Sequence, residues 1–401
     1  MNHKVACCYL THEHPEVMEE VLGKIYEPYG EKGIDVYIYD SSRSDDTKRV
    51  VDKYISRGVC TIHHVPMKHL SDEKGGDAKY LEVTRGYGLV GEYDYIWPTK
   101  DRCWFEGQTL DEICDAIDEG HDIVFAVDER DRYEIIKRPT KSLYTDPVEF
   151  FADYGALLTN WECLVRRKDT MLDPIDWDLY AKEHNVCKDN NFNQTVTTLV
   201  RLSEMNSCSI KVIESGLDDK RYSDKAGPLW LSSILDIWID RFIPAIFELP
   251  TIYDPYKMSV IKTQLGHVSL FGSNDALIFL RNTGTLTAKR AEQLRSIWNM
   301  ISRLPISNLE RILANDEDVL ISELYDEYKK SFEENDHEKG YYLFIQNGRF
   351  GSMIPKDDYR ILALSYYVYM KDMMRAGYSL LFKGVTCMED LITKFRRLSE
   401  S

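Results

Sequence analysis

Val36-Tyr-Ile-Tyr-Asp40-Ser-Ser-Arg-Ser-Asp-Asp-Thr47 decides the fold. A β-prone run ends in an aspartate, and a turn rich in side-chain oxygens then opens a helix. Ser44 suits the N-cap, and Asp45 and Asp46 suit the positive end of the helix dipole. Val50, Val51, Tyr54 and Ile55 give that helix one apolar face. Asp40 is left at a strand's carboxyl end, the edge where open α/β sheets bind ligands, and a carboxylate there accepts hydrogen bonds from ring N–H or ribose hydroxyl donors. The plainer alternative is an acidic helix start and nothing more.

The same alternation runs outward from this stretch. Strands are predicted at Lys4 to Leu10, Ile34 to Tyr39, Cys60 to Val65, Tyr93 to Trp97 and Ile123 to Val127. Helices are predicted at Pro15 to Tyr26, at about Ala78 to Val90, and from Thr109, as a cap, towards Gly120. Such a pattern implies an α/β, doubly wound, mostly parallel sheet built from right-handed βαβ units. The loop after the first strand, Thr11-His-Glu-His-Pro15, has no glycine, so pyrophosphate cannot approach the backbone there as in a dinucleotide-binding G-x-G-x-x-G turn. No G-x-x-x-x-G-K-[ST] occurs either, which disfavours dehydrogenase and P-loop chemistry.

Composition narrows the class further. A chain of 401 residues with 43% apolar residues can bury two ordinary cores. A formal net charge of -17 argues against nucleic acid, which needs a basic footprint. An anionic ligand must therefore meet a local basic cluster or a metal. Lys68, Lys74, Lys79, Arg85, Lys100 and Arg102 lie in or near the loops flanking the site, with Lys68 and Lys74 read as solvated surface charge. Nine scattered cysteines without C-x-x-C read as reduced thiols, and His63, His64 and His69 lack a second ligand group at zinc spacing. Met1-Asn-His-Lys4 precedes too short an apolar run for a signal peptide, so the expected location is cytoplasmic.

At this point the first 225 residues or so resemble the family 2 glycosyltransferases of GT-A fold. The likeness rests on the strand ending at Thr11, the Asp40 turn, and Gly91-Glu-Tyr-Asp-Tyr-Ile-Trp97 leading to Asp101. Asp146-Pro-Val-Glu-Phe-Phe-Ala-Asp-Tyr154, Leu164-Val-Arg-Arg-Lys168 and Asn191-Phe-Asn-Gln194 look like segments of bacterial members that build surface glycans or glycosylate proteins. The resemblance implies inverting transfer of a sugar from a nucleoside diphosphate sugar, UDP-linked, to a saccharide or glycoprotein acceptor. Thr11, Asp40 and Ser42 would hold the nucleoside, and Lys79 would face phosphate. The family's D-x-D, which holds a divalent metal (Mn2+ or Mg2+), is reduced here to Pro98-Thr-Lys-Asp-Arg102. Asp101 is then the metal ligand, with water and phosphate completing the shell, or Lys100 and Arg102 neutralise the diphosphate directly. The simplest alternative makes Asp101 a loop acid paired with Arg102.

The resemblance also implies a general base some 80 to 95 residues after the metal acid, which points to Asp189. An aspartate there could equally cap the helix that follows. Glu162 is the alternative base and Asp178 the third. A non-catalytic GT-A-like subunit that stabilises a partner transferase is the competing function, supported by the missing first acid. A nucleotidyltransferase would need a glycine- and lysine-rich first loop.

After about residue 225 the pattern turns helical, giving expected domains of 1–225 and 226–401, the second mainly α-helical. The run Trp230 to Leu249 is strongly apolar but carries Asp236, Asp240, Arg241 and Pro244, so a buried core or interfacial helix is favoured over a membrane span. Later helices are predicted at Thr287 to Arg303, Ser307 to Ala314, Val319 to Phe332 and Asp357 to Met374. A strand is predicted at Tyr341 to Ile345 and an exposed loop at Glu333 to Gly340. Acceptor binding or a homodimer interface is the favoured role of this half, over a packing extension and over peripheral membrane association at the inner face. Its acidic balance disfavours anionic lipid.

Overall fold

The computed structural model describes residues 2–72, 76–85, 92–128, 136, 140–215, 220–222, 233, 235–267, 271, 274–282, 284–302, 304–315, 393 and 397. Trp230, Lys74, the expected helices at 319–332 and 357–374, the strand at 341–345 and the loop at 333–340 lie outside the described residues. The chain divides into two compact units, one of residues 1–226 with 235–267 and one of 227–234 with 268–401.

The first unit is organised by strand β1 (Val5–Thr11), in which every residue is buried. It pairs in parallel with β2 (Ile34–Asp40) on one side and β4 (Tyr95–Lys100) on the other, and β3 (Ile62–Pro66) adds to β2. The remaining strands are β5 (Cys103–Phe105), β6 (Ile123–Asp128), β7 (Leu143–Tyr144), β8 (Leu164–Arg167), β9 (Ile210–Ser215) and β10 (Lys220–Tyr222). Eight of them form one mostly parallel, mixed sheet in the order β3-β2-β1-β4-β8-β6-β9-β7. The reversals come at β8, antiparallel to both β4 and β6, and at β7 on the far edge. A second sheet pairs β5 with β10.

Helices α1 (Pro15–Lys32), α2 (Asp46–Ile55), α3 (Asp77–Thr84) and α4 (Gly107–Asp118) connect the strands. Helix α1 runs past its expected end at Tyr26 and through Pro28, because Tyr29 is still buried. It stops where Gly33, at φ 70°, takes the left-handed conformation that glycine adopts without strain. Two expected caps are corrected. Asp45, not Ser44, occupies the N-cap of α2, while the Ser44 hydroxyl accepts from the Asp46 N–H at 3.4 Å. Thr109 is buried inside α4, two residues beyond its first position, so tertiary burial overrides its capping propensity. Strand β4 continues past Trp97 through Pro98 to Lys100. Pairing with β8 ends at Ile96, so the proline, which has no N–H to give, has a paired neighbour on one side only.

The apolar run after residue 234 joins the first unit's core. Residues Asp236–Phe242 wind as a π-helix and Ile243–Phe247 as an α-helix, with Ile239, Phe242, Ile243, Ala245 and Ile246 buried. No described helix is long and apolar enough to cross a membrane. The second unit's described helices are Asn274–Asn282, Ala288–Arg295, Trp298–Ile301 and Ile306–Ala314. The single helix expected from Thr287 to Arg303 is interrupted at 296–297, where the chain turns to bury Trp298. Thr287 caps the first part by accepting from the Arg290 N–H at 3.1 Å.

Candidate active site

Strand register brings the site together. Thr11 lies opposite Asp40 and Leu10 opposite Lys100, so the carboxyl ends of β1, β2 and β4 meet at one edge. At this edge Asp40 is 4% exposed, Lys79 5% and Asp101 9%. Ionisable groups are almost never buried this deeply unless they are paired.

Asp40 Oδ1 accepts the Ser42 N–H at 2.9 Å, and Oδ2 accepts from His64 Nε2 at 3.0 Å. Burial alone would raise the Asp40 pKa, but the bonds from His64 and Ser42 outweigh it and hold the carboxyl below its ordinary value. Ser42 is buried, its hydroxyl accepting the Glu13 N–H at 2.7 Å and lying 3.3 Å from Thr47 Oγ1. Glu13, at φ 53°, laces the first loop to the serine turn, accepting from the Arg43 N–H at 2.7 Å and the Ser44 hydroxyl at 3.3 Å. The first loop therefore offers a side-chain network where a dinucleotide turn would offer glycine backbone.

Asp101 is not partnered by Arg102. Its Oδ2 accepts from Thr11 Oγ1 at 3.0 Å and from His14 Nδ1 at 2.8 Å. That bond raises the His14 pKa, against burial and against the charges of Lys79 and Arg102. Lys79 projects from α3 into the same space and donates to the Thr11 carbonyl at 2.8 Å and to Ser41 Oγ at 3.0 Å. Desolvation lowers its pKa from 10.5 to about 8, although Asp101 and Asp40 both pull it upward.

The other expected residues lie apart from this cluster or already have partners. Lys100 reaches Glu162, which is 0% exposed, at 2.8 Å. Asp178 is exposed on the short helix Trp177–Glu183. Asp189 is exposed on the loop before the helix Asn193–Glu204, whose N-cap is Phe192 with no side-chain cap bond, so Asp189 does not cap it. Lys68 pairs with exposed Asp45. The three histidines go separate ways: His63 stacks on Tyr37, His64 holds Asp40 and His69 meets Glu82 at 2.6 Å.

Sequence reasoning missed His14, His64 and Glu13. His64 could have been found from strand alternation, since it lies two residues before Pro66, the register partner of Asp40, and hence on the same face. His14 and Glu13 carry no such periodic signal.

The residues do not fit a metal centre of the protein's own making. Among the described residues no three His, Cys, Asp or Glu side chains gather as ligands. Asp101 supplies one carboxylate, already accepting two hydrogen bonds beside a buried ammonium, whereas hard divalent ions prefer six or more oxygen ligands.

No family model matches the chain, and no curated protein matches it in sequence. Solved structures with a similar trace include TarS from S. aureus, at 12% identity and TM-score 0.45, covering 98% of this chain and 91% of that one. A mannosyltransferase from Pyrobaculum calidifontis, in complex with GDP-Man and Mn2+, gives 13% and 0.41 over 79% and 89%. Glucosyl-3-phosphoglycerate synthase from Mycobacterium tuberculosis, with Mn2+, UDP and glucosyl-3-phosphoglycerate, gives 10% and 0.40 over 62% and 80%. At these identities the likeness says nothing about this chain's donor or acceptor. The order β3-β2-β1-β4 with the reversal at β8, and the side chains gathered where β1, β2 and β4 end, make this a doubly wound, mostly parallel α/β protein.

Proposed function

We propose that the chain is a glycosyltransferase that moves a sugar from a nucleoside diphosphate donor, UDP-linked, to a saccharide or glycoprotein acceptor with inversion. The observation that carries this reading is the convergence of Thr11, Asp40 and Asp101 with the buried Lys79 at the sheet's carboxyl edge. Asp40, oriented by His64, accepts from the nucleoside. Lys79, with His14 and Arg102 nearby, neutralises the departing diphosphate, because a cation in a desolvated site stabilises charge that grows in the transition state. Asp189 takes the acceptor hydroxyl's proton as that oxygen attacks the anomeric carbon. Its exposure suits a base that must meet an incoming acceptor, whereas Glu162 is sealed against Lys100. A divalent ion, if the donor brings one, would find only Asp101 among these side chains and would keep diphosphate and water as its other ligands.

The first unit is read as the transferase body. The second, which lacks residues 235–267 of the helical half expected from residue 226, is read as the acceptor-binding or dimerising part. The test is a hydrolysis and transfer screen across UDP-, GDP- and TDP-sugars, with and without manganese. Turnover of one donor supports the reading. UDP binding without turnover of any donor would favour a non-catalytic subunit.

A further inference from the structure

The loop that carries Asp189 is held more firmly than its exposure suggests. Residues 185–193 contain four asparagines, of which Asn185 and Asn191 have positive φ, at 51° and 64°. Asn193 closes the loop on itself. Its Nδ2 donates to the Cys187 carbonyl at 2.7 Å, and its Oδ1 accepts the Cys187 N–H at 3.1 Å. Asn190 does the same one layer out, donating to the Asn185 carbonyl at 2.7 Å and accepting the Phe192 N–H at 3.1 Å. Arg241 donates to Asn191 Oδ1, and Phe192 packs among Trp238 and Phe242.

Besides Arg241, a carboxylate from elsewhere in the sequence enters this lattice. Asp77, the first residue of α3 and 7% exposed, accepts from Asn193 Nδ2 at 2.9 Å and also takes the Asn191 N–H. Two residues on, Lys79 leaves the same helix for the donor pocket. We propose that Asp77 is the positioning residue of the Asp189 loop and that α3 thereby ties this loop to the donor pocket. The inference rests on the transferase reading and deepens it, because it says what places the base relative to the donor.

The groups facing Asp77 are consistent with a carboxylate placed for hydrogen bonding. Burial pushes its pKa up to about 7, while Asn193, Arg241 and the Asn191 N–H pull it down and Asp189 adds to the rise. Tyr80, on α3 itself, lies within its field. Buried polar groups are held by hydrogen bonds, and those of Asp77 go to the Asn193 side chain and the Asn191 N–H.

The test compares Asp77→Ala, Asp77→Asn and Asn193→Ala. Hydrogen exchange at residues 185–193 should speed up in both alanine variants and stay near wild type in Asp77→Asn, because the amide oxygen still accepts from Asn193 and Asn191. Transfer kcat should fall about a hundredfold in the alanine variants, the scale of a misplacement near an ångström, with the Kd for UDP unchanged. If Asp77→Ala does not fold, Asp77→Ser takes its place, since Asn193→Ala also removes the loop's own bonds to Cys187. Wild-type exchange in the alanine variants, or an Asp77→Asn variant as impaired as Asp77→Ala, would overturn the proposal. A wild-type protein that turns over no donor would instead overturn the transferase reading, while the exchange measurement still judges Asp77.

Discussion

Replacing Lys79 with methionine should separate stability from binding. Its pKa is lowered from 10.5 to about 8 by burial, and at about 1.4 kcal/mol per unit that depression corresponds to about 3 kcal/mol. The direction matters. A lysine whose folded pKa lies below its unfolded value destabilises the fold while charged, fully below about pH 8, and this cost disappears as pH rises to the unfolded value near 10.5. Methionine fills similar space without charge. The Thr11 carbonyl keeps the Ser41 N–H at 3.2 Å, and Ser41 Oγ keeps His12 at 3.1 Å, so neither is orphaned. Lys79→Met should therefore be more stable than wild type at pH 7, by up to about 3 kcal/mol in urea denaturation, with the gain vanishing towards pH 10.5. A bound diphosphate would restore the ammonium's partner and raise its pKa again, so wild-type UDP binding should take up about half a proton near pH 8. Calorimetry in two buffers of different ionisation enthalpy reads that uptake, and the mutant should lose both the uptake and most of its affinity. The reasoning fails if Lys79→Met is less stable at pH 7 yet binds UDP as wild type does, without proton uptake in either protein. Lys79 would then be a strut between Thr11 and Ser41.

Three further outcomes are expected. Asp40→Ala should weaken UDP binding by roughly 1.5–3 kcal/mol, the range for a hydrogen bond to a charged group, and His64→Ala should weaken it less, since it only loosens Asp40; equal affinity for wild type and Asp40→Ala by titration would remove the nucleoside role. Asp101→Asn should lower donor turnover. If wild-type turnover survives exhaustive chelation, the mutant's defect belongs to the Asp101 bond with His14, and if chelation stops wild-type turnover, Asp101 is the metal's protein ligand. Asp189→Asn should cut transfer by orders of magnitude with donor affinity nearly constant, because a general base acts in the transition state; wild-type turnover in that variant would move the role to another carboxylate.

Local chemistry determined a good deal. The Asp40 turn, the alternation of strands and helices and the glycine-free first loop could be read directly, because strand and helix periods and turn chemistry are properties of neighbouring residues. Asp40 could be proposed because it ends a strand, whereas Thr11 and Asp101 rest on the resemblance; parallel register then brings the ends of β1, β2 and β4 to one edge. Other relations depended on the tertiary structure. Whether Asp101 faced Arg102 or His14, whether Glu162 was open or sealed by Lys100, and which residue held the Asp189 loop could not be read locally. Asp77 and Asn193 are 116 positions apart, and no periodicity links two polar residues at that separation. They meet because α3 and the helix Asn193–Glu204 are packed together by buried apolar residues that carry no information about the polar pair they bring into contact.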